Sequence, residues 1–268
     1  MKPLDRILDR IARLMGLALI CCSVLILLSP ILFTILLSFA NDASIKFPPG
    51  SWGVDRYIEL FNSPKWLDSL GLSLRLAVVS ALIAVAVSLP ALWAILRSQL
   101  KVRALIEQLS VASLLIPVSA FAVAIYGVFA QFRMLGSFWG LAVAHAVLAI
   151  PFVILIGAIG LRAQPKELEL VAITLGATRA RAFTGITLRL AFPSLIAGFV
   201  LAFQASFEEA VLVNFLGGPG LLTLPKRILD ALQWGSEPVV TAIASIIAVL
   251  TSALVAVFLS ITQGVKKK

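Results

Sequence analysis

Two adjacent glutamates, Glu208 and Glu209, interrupt the apolar stretch "QASFEEAVLVNF" and are the residues most able to do chemistry. A charged side chain inside a bilayer is costly, so it is either compensated by a partner or used for function. Two uses are open for these carboxylates: they could hold a cationic solute, or they could form a structural ion pair. Which use applies depends on the elements that position the two side chains.

Other reactive residues are few. The chain has one histidine, His145, and two cysteines, Cys21 and Cys22, all within apolar stretches. A single histidine in a helical bundle favours a hydrogen-bonded packing role, and neighbouring cysteines rarely bridge each other. No metal-ligand spacing and no phosphate-binding G-x-x-x-x-G-K-[ST] motif occurs in the sequence. We therefore predict a non-catalytic chain that binds no cofactor of its own.

The composition excludes an ordinary soluble domain. Of the 268 residues, 60% are hydrophobic and only 13% are charged, whereas soluble domains carry about 25% charged residues. Stretches of about 20 apolar residues can cross a membrane as helices. Such stretches predict an all-α protein with six spans, at about 14–40, 69–97, 106–131, 136–161, 193–216 and 238–263. Pro90, Pro117 and Pro151 lie within these spans and predict kinks.

The distribution of lysine and arginine predicts the orientation. With the N-terminus in the cytoplasm, the inner segments carry fifteen of these residues and the outer segments six, and Arg75 lies within the second span. Cytoplasmic loops are enriched in Lys and Arg, which favours an N-in, C-in topology. The net charge of +9 is then explained by topology, and a nucleic-acid partner is not expected.

The inner loop 162–192, between the fourth and fifth spans, is the longest polar segment on the cytoplasmic side. Leu168, Val171, Ala172 and Leu175 recur at intervals of three and four residues and predict a helix with one apolar face. Gly176 then permits a sharp bend before a second short helix. Two interpretations are open: the loop inserts into a groove on another protein, or it lies on the membrane surface as an amphipathic segment.

This loop resembles the EAA loop of binding-protein-dependent ABC importer permeases of the type I, MetI-like fold. The matching positions are Glu169, Val171, Ala172, Gly176, Ala177, Ile186 and Leu188. Val171 replaces a smaller alanine of the family pattern, and Arg189 stands where the family usually has proline. The segment "SFEEAVLVNFLGGPGLLTLPKRI" is further similar to the spermidine/putrescine-type permeases.

The resemblance implies a single permease domain over residues 1–268, in a bacterial inner membrane. It implies that this chain works with two cytoplasmic ATPase subunits, a second permease subunit (expected to be a different chain), a solute-binding protein and membrane lipid. ATP and Mg²⁺ would then be bound by the ATPase. Residues 169, 171, 172, 176 and 177 would couple the permease to that ATPase. The solute would be polyamine-like or another small cation.

Several alternatives stay open. Within the family, the solute could be an opine, an amino acid derivative, an aminophosphonate or iron. Outside it, the chain could be a self-sufficient secondary transporter, although no clear internal repeat supports that, or a structural membrane subunit, which would have no need of the cytoplasmic loop.

The predicted solute pathway centres on Glu208, which shares a helix face with Gln204 four residues earlier. Glu209 lies on a different face, beside small residues suited to close packing. The other predicted pathway residues are Phe207, Tyr126 and Arg75. Arg75 is also the predicted partner of Glu208 if the glutamate forms an ion pair rather than holding the solute.

Overall fold

A computed structural model of the chain describes residues 3–42, 45–97, 100–165, 167–234 and 237–266. The described residues are almost entirely helical, and apart from one isolated antiparallel bridge between Ala40 and Trp52 they contain no strand. The helices are α1 (Pro3–Ser38), α2 (Asp55–Asn62), α3 (Pro64–Arg97), α4 (Leu100–Ser113), α5 (Val118–Gln131), α6 (Phe138–Arg162), α7 (Glu167–Thr174), α8 (Arg179–Ala182), α9 (Leu188–Phe207), α10 (Val211–Leu216), α11 (Leu224–Trp234) and α12 (Val239–Lys266). A π-helical turn, Phe183–Thr187, joins α8 to α9.

Four of the described helical segments are long and apolar enough to cross a membrane: Ala12–Ser38, Pro64–Ile95, Phe138–Arg162 and Arg179–Phe207. A fifth crossing is possible if the bent pair Arg103–Ser113 and Val118–Gln131 counts as one span. Helix α12 has 28 residues, and its first part, Val239–Ala253, is also apolar. The elements follow the order of the six predicted spans, while the number of crossings and their orientation stay predictions.

The third predicted span, 106–131, is not one kinked helix. The chain leaves the helix after Ser113 and starts α5 at Val118, at an angle of 104° to α4. Pro117 explains the break, because it has no backbone N–H and because its ring disfavours a helical conformation at the preceding Ile116. The predicted kink is at the correct residue, Pro117, but the chain bends far more than a kinked helix would.

The fifth predicted span, 193–216, is also interrupted. Helix α9 ends at Phe207, Glu208 occupies its C-cap, and the separate helix α10 begins at Val211. The helix also begins earlier than predicted, at Leu188, so that the loop after α6 is shorter than 162–192. Two further short helices, α2 and α11, lie in segments that the sequence marked only as loops.

The chain divides into two compact units, Met1–Ser63 with Gly235–Leu250 and Pro64–Trp234 with Thr251–Lys268. In the second unit, α3, α6 and α9 pack closely through small residues. A side chain at Gly198 would meet the backbone of Val153 at 3.3 Å, and one at Gly157 would meet Leu92 at 2.7 Å. Ala84, Ala149 and Ala202 are fully buried in the same core. Small residues therefore set the helix spacing, as in other membrane bundles.

In the first unit, α2 is held against the end of α1. Buried Arg56 donates to the carbonyl oxygens of Ala40 and Asp42. The Tyr57 hydroxyl lies 2.6 Å from the Ser38 hydroxyl and donates to Ser245 Oγ at 3.2 Å. The backbone N–H of Gly50 donates to Asp42 and, more than the nearby Lys46 ammonium, holds the pKa of that carboxyl below its usual value.

The spacing of α6 and α9 yields a stability prediction. We expect Gly198→Leu to destabilise the purified protein by about 1–3 kcal/mol, because the added atoms have no room beside Val153. Gly127→Leu is the control, since a side chain there meets nothing within 4 Å. Thermal unfolding in detergent checks the pair, and equal melting temperatures for the two variants would contradict this account of the packing.

Candidate functional site

The first candidate site is the break between α9 and α10, where both glutamates lie. At Glu209, the Oε1 atom accepts hydrogen bonds from the backbone N–H groups of Val211 at 2.5 Å and Leu212 at 3.0 Å. These are amides of the first turn of α10, which have no partner within the helix. The Glu209 carboxylate is therefore used to start α10, and the two hydrogen bonds compensate its charge.

Glu208 is the exposed member of the pair. Its Oε1 accepts a hydrogen bond of 3.0 Å from Gln204 Nε2, which confirms that these two side chains share a face. Among the residues that the structure describes, no lysine or arginine forms an ion pair with Glu208. Arg75 is exposed on α3 but is not paired with Glu208, so the ion pair that was left open as an alternative does not form in this structure.

The end of α9 is fixed from the side of α6. His145 is 1% exposed, and its Nδ1 lies 2.9 Å from Ser206 Oγ and 3.2 Å from the Ser206 carbonyl oxygen. A carbonyl oxygen can only accept, so the Nδ1–H donates in that contact. His145 has the predicted packing role, and it also holds the residue two positions before Glu208. Sequence reasoning missed this partnership, because nothing in the sequence pairs α6 with Ser206.

The chain that follows α10 is fixed as well. The backbone N–H of Gly136 donates to the Leu216 carbonyl oxygen at 2.9 Å, and a side chain at Gly218 would meet the Gly136 Cα at 2.8 Å. Only glycine permits this crossing of two loops. Beyond it, the Leu224 N–H donates to Ser73 Oγ at 2.7 Å. The glycines of "GGPG" were a visible signal, but the sequence does not reveal which loop they cross.

In the described part of the chain, no side-chain hydrogen bond, ion pair or ring contact joins Glu208 to the remaining predicted pathway residues. Phe207 is buried, with its ring stacked on Phe203 at 5.8 Å between centroids. Tyr126 is exposed on α5, and no described contact joins it to Glu208. The places of Phe207, Tyr126 and Arg75 on a pathway stay predictions.

The second candidate site is the segment α7–α8, which has the predicted arrangement of helix, glycine turn and helix. Gly176 has φ +94°. Its N–H donates to the Ile173 carbonyl oxygen, and the Ala177 N–H donates to that of Ala172, both at 3.0 Å. This pair of bonds is a Schellman motif, which requires a left-handed residue at the position of Gly176. Thr178 then caps α8 by accepting from the Arg181 N–H.

The apolar side chains of α7 are exposed. Leu168, Val171 and Leu175 lie on the predicted face, Leu175 with 84% exposure, and Leu170 is exposed on another side of the helix, so that these side chains are available to a partner. Glu169 instead faces its own chain: its Oε2 accepts a hydrogen bond of 3.1 Å from Thr187 in the π-helical turn. The turn continues directly into α9, whose 20 residues span about 30 Å. The Glu169–Thr187 hydrogen bond, the π-helical turn and α9 thus connect α7 to the break at Glu208.

The family model for the binding-protein-dependent transport system inner membrane component matches residues 86–268, more than half of the chain. The chain belongs to this family. It is a permease subunit of an ATP-driven importer, it resides in the inner membrane, and a separate ATPase hydrolyses the ATP. The predicted resemblance, the all-helical MetI-like fold and the non-catalytic role of this subunit are confirmed.

Two curated relatives of this permease are polyamine permeases by name. PotI, the putrescine transport system permease protein of Escherichia coli K12, is 29% identical over 82% of this chain and 81% of its own length. PotC, the spermidine/putrescine transport system permease protein of Haemophilus influenzae, is 27% identical over 87% of this chain and 91% of its own length.

Similarity also extends to transporters for other solutes. SmoH, the sulfoquinovosyl glycerol transport system permease protein of Agrobacterium fabrum, is 27% identical over 75% of this chain and 73% of its own length. The crystal structure of a bacterial ABC transporter that imports the acidic polysaccharide alginate superposes with a TM-score of 0.74, at 14% identity and over 95% of this chain and 96% of that one. This structural likeness establishes the shared MetI-like fold.

We expect substitution of the two glutamates to affect stability differently. We expect Glu209→Ala to destabilise the permease by about 1 kcal/mol, because two amide groups of α10 lose their acceptor. Glu209→Gln keeps an acceptor oxygen and should retain most of the stability. Glu208→Ala is the matched control and should change thermal unfolding little. A larger loss for Glu208→Ala than for Glu209→Ala would reverse the assigned roles.

Proposed function

We propose that this permease imports a small cationic, polyamine-like solute, and that Glu208 is the carboxylate that meets it. One observation carries the proposal: of the two glutamates, Glu209 is committed to the amides of α10, whereas the Glu208 carboxylate is exposed and, among the described residues, accepts a hydrogen bond only from the Gln204 side chain. An uncompensated carboxylate at the end of a membrane helix is a site for a cation. The polyamine permeases among the relatives support the same solute class.

The relatives alone do not choose the solute, since SmoH, named for sulfoquinovosyl glycerol, is about as similar in sequence as PotC. The free carboxylate is what favours a cation over an anionic solute. The alternatives within the family, which are an opine, an amino acid derivative, an aminophosphonate or iron, are separated from a polyamine by direct uptake and competition assays.

For the assembly, we propose two ATPase subunits, a second permease of different sequence and a solute-binding protein. The exposed apolar face of α7 would enter a groove on one ATPase. Movement of α7 would then pass through the Glu169–Thr187 hydrogen bond and the π-helical turn into α9, and so to the break at Glu208. In the N-in, C-in orientation proposed here, this break opens to the side from which the solute arrives.

Removing the charge of Glu208 tests the proposed solute contact. We expect Glu208→Gln to lower uptake of a radiolabelled polyamine by about tenfold or more, because a charge-assisted contact contributes roughly 1.5–3 kcal/mol. Glu208→Asp should retain part of the activity. Assembly with the ATPase, measured by co-purification, should be unchanged in both variants. Full uptake by Glu208→Gln at normal expression would refute the proposed role.

The turn at Gly176 tests the coupling proposal. We expect Gly176→Val to reduce solute-stimulated ATP hydrolysis by the assembled transporter, because a β-branched residue at φ +94° costs about 1–2 kcal/mol and disturbs the end of α7. Gly127→Val is the control, since that glycine is exposed on α5, outside the proposed route, and a side chain there meets nothing within 4 Å. Equal hydrolysis by the two variants would argue against coupling through α7.

A further inference from the structure

Helix α2, between α1 and α3, has an exposed apolar face that no other described residue covers. Val54, Ile58 and Phe61 are 51%, 54% and 60% exposed. Their spacing of four and three residues places them on one side of the helix. Glu59, about 100° away around the helix axis, is exposed as well. The helix is thus amphipathic, with an exposed apolar stripe.

Contacts on the other sides of α2 fix its position at the end of the first membrane span. Tyr57 is hydrogen-bonded to Ser38, the last residue of α1, and to Ser245. Arg56 holds the carbonyl oxygens of Ala40 and Asp42, which follow that span directly. These contacts keep α2 within one side chain's length of the residue at which the span Ala12–Ser38 ends.

The exposed surface of the span Ala12–Ser38 indicates which partner contacts the apolar face of α2. None of the most apolar window of Ala12–Ser38 is buried within this chain, and the loop that follows the span carries further exposed aromatic side chains, at Phe39, Phe47 and Trp52. Aromatic side chains concentrate where a membrane meets water. A short amphipathic helix at this level satisfies its apolar face by lying in the boundary between headgroups and acyl chains.

We propose that α2 lies in the membrane interface and inserts Val54, Ile58 and Phe61 into the leaflet at which α1 ends. The partner of this surface is therefore phospholipid rather than a protein subunit. In the N-in orientation the leaflet is the outer one. The inference does not depend on the identity of the solute or on coupling to an ATPase.

The test measures the depth of single labels in lipid nanodiscs. Cys21 and Cys22 are replaced by serine, and a fluorescent label is attached to Ile58→Cys, Phe61→Cys or, as the exposed control, Glu59→Cys. We expect doxyl-labelled phospholipid to quench the labels at 58 and 61 about threefold more than the label at 59. Aqueous iodide should show the opposite order. Equal quenching of all three labels by iodide, with no effect of doxyl lipid, would overturn the proposal.

A second measurement uses the unsubstituted chain and so does not depend on tolerance of the cysteines. A photoactivatable phospholipid is incorporated in the nanodiscs, and crosslinked peptides are identified by mass spectrometry. We expect crosslinks at residues 54–61. If these residues stay uncrosslinked while the span Ala12–Ser38 is crosslinked, the surface does not face lipid and the proposal fails.

Discussion

A carboxylate placed in an apolar membrane helix must find hydrogen-bond donors or reach water, and the architecture around residues 206–212 meets this constraint in both ways. Glu209 takes the two free amides that begin α10, and this is possible only because α9 has already ended at Phe207. Glu208 then occupies the break itself, exposed. In an uninterrupted helix, the two adjacent side chains would point about 100° apart. At least one carboxylate would then face the protein core or the lipid without a hydrogen-bond donor.

The surrounding contacts hold this break in place. His145 fixes Ser206 on one side, while the Gly136–Gly218 crossing and the Ser73–Leu224 hydrogen bond fix the chain on the other. Below the break, α9 packs on α6 through Gly198 and other small residues. Because Glu169 is tied to the turn that opens α9, a displacement of α7 has a direct covalent and hydrogen-bonded route to the neighbourhood of Glu208.

The sequence predicts those features that depend on neighbours within one or two helical turns. The apolar stretches, the helix–glycine–helix shape of the α7–α8 segment and the shared face of Gln204 and Glu208 all follow from local periodicity, and the structure agrees with them. The same reasoning marked Pro117 but not the 104° bend, because the angle depends on packing. It also missed the end of α9, since two carboxylates in a row do not show whether backbone amides will be available to them.

Features built from distant parts of the chain could not be read from the sequence. His145 and Ser206 are 61 positions apart, and the loop crossing joins Gly136 to Gly218, 82 positions away. No sequence pattern in these segments predicts which residues will be in contact. Short helices such as α2 and α11 were not predicted for another reason: they are flanked by glycine and proline residues, which indicate turns and loops. The Arg75–Glu208 pair, one of the two uses left open for Glu208, does not form in this structure, because opposite charge at a similar depth does not ensure contact.

The central claim is that a negative charge at position 208 meets a cationic solute, and chemical restoration of that charge tests it most directly. In a chain with Cys21 and Cys22 replaced by serine, Glu208→Cys is assayed for polyamine uptake before and after treatment with an anionic or a cationic methanethiosulfonate reagent. The account predicts that uptake is low in the unmodified variant, partly restored by the anionic reagent and not restored by the cationic one. Full uptake before treatment, or the same response to both reagents, would contradict it.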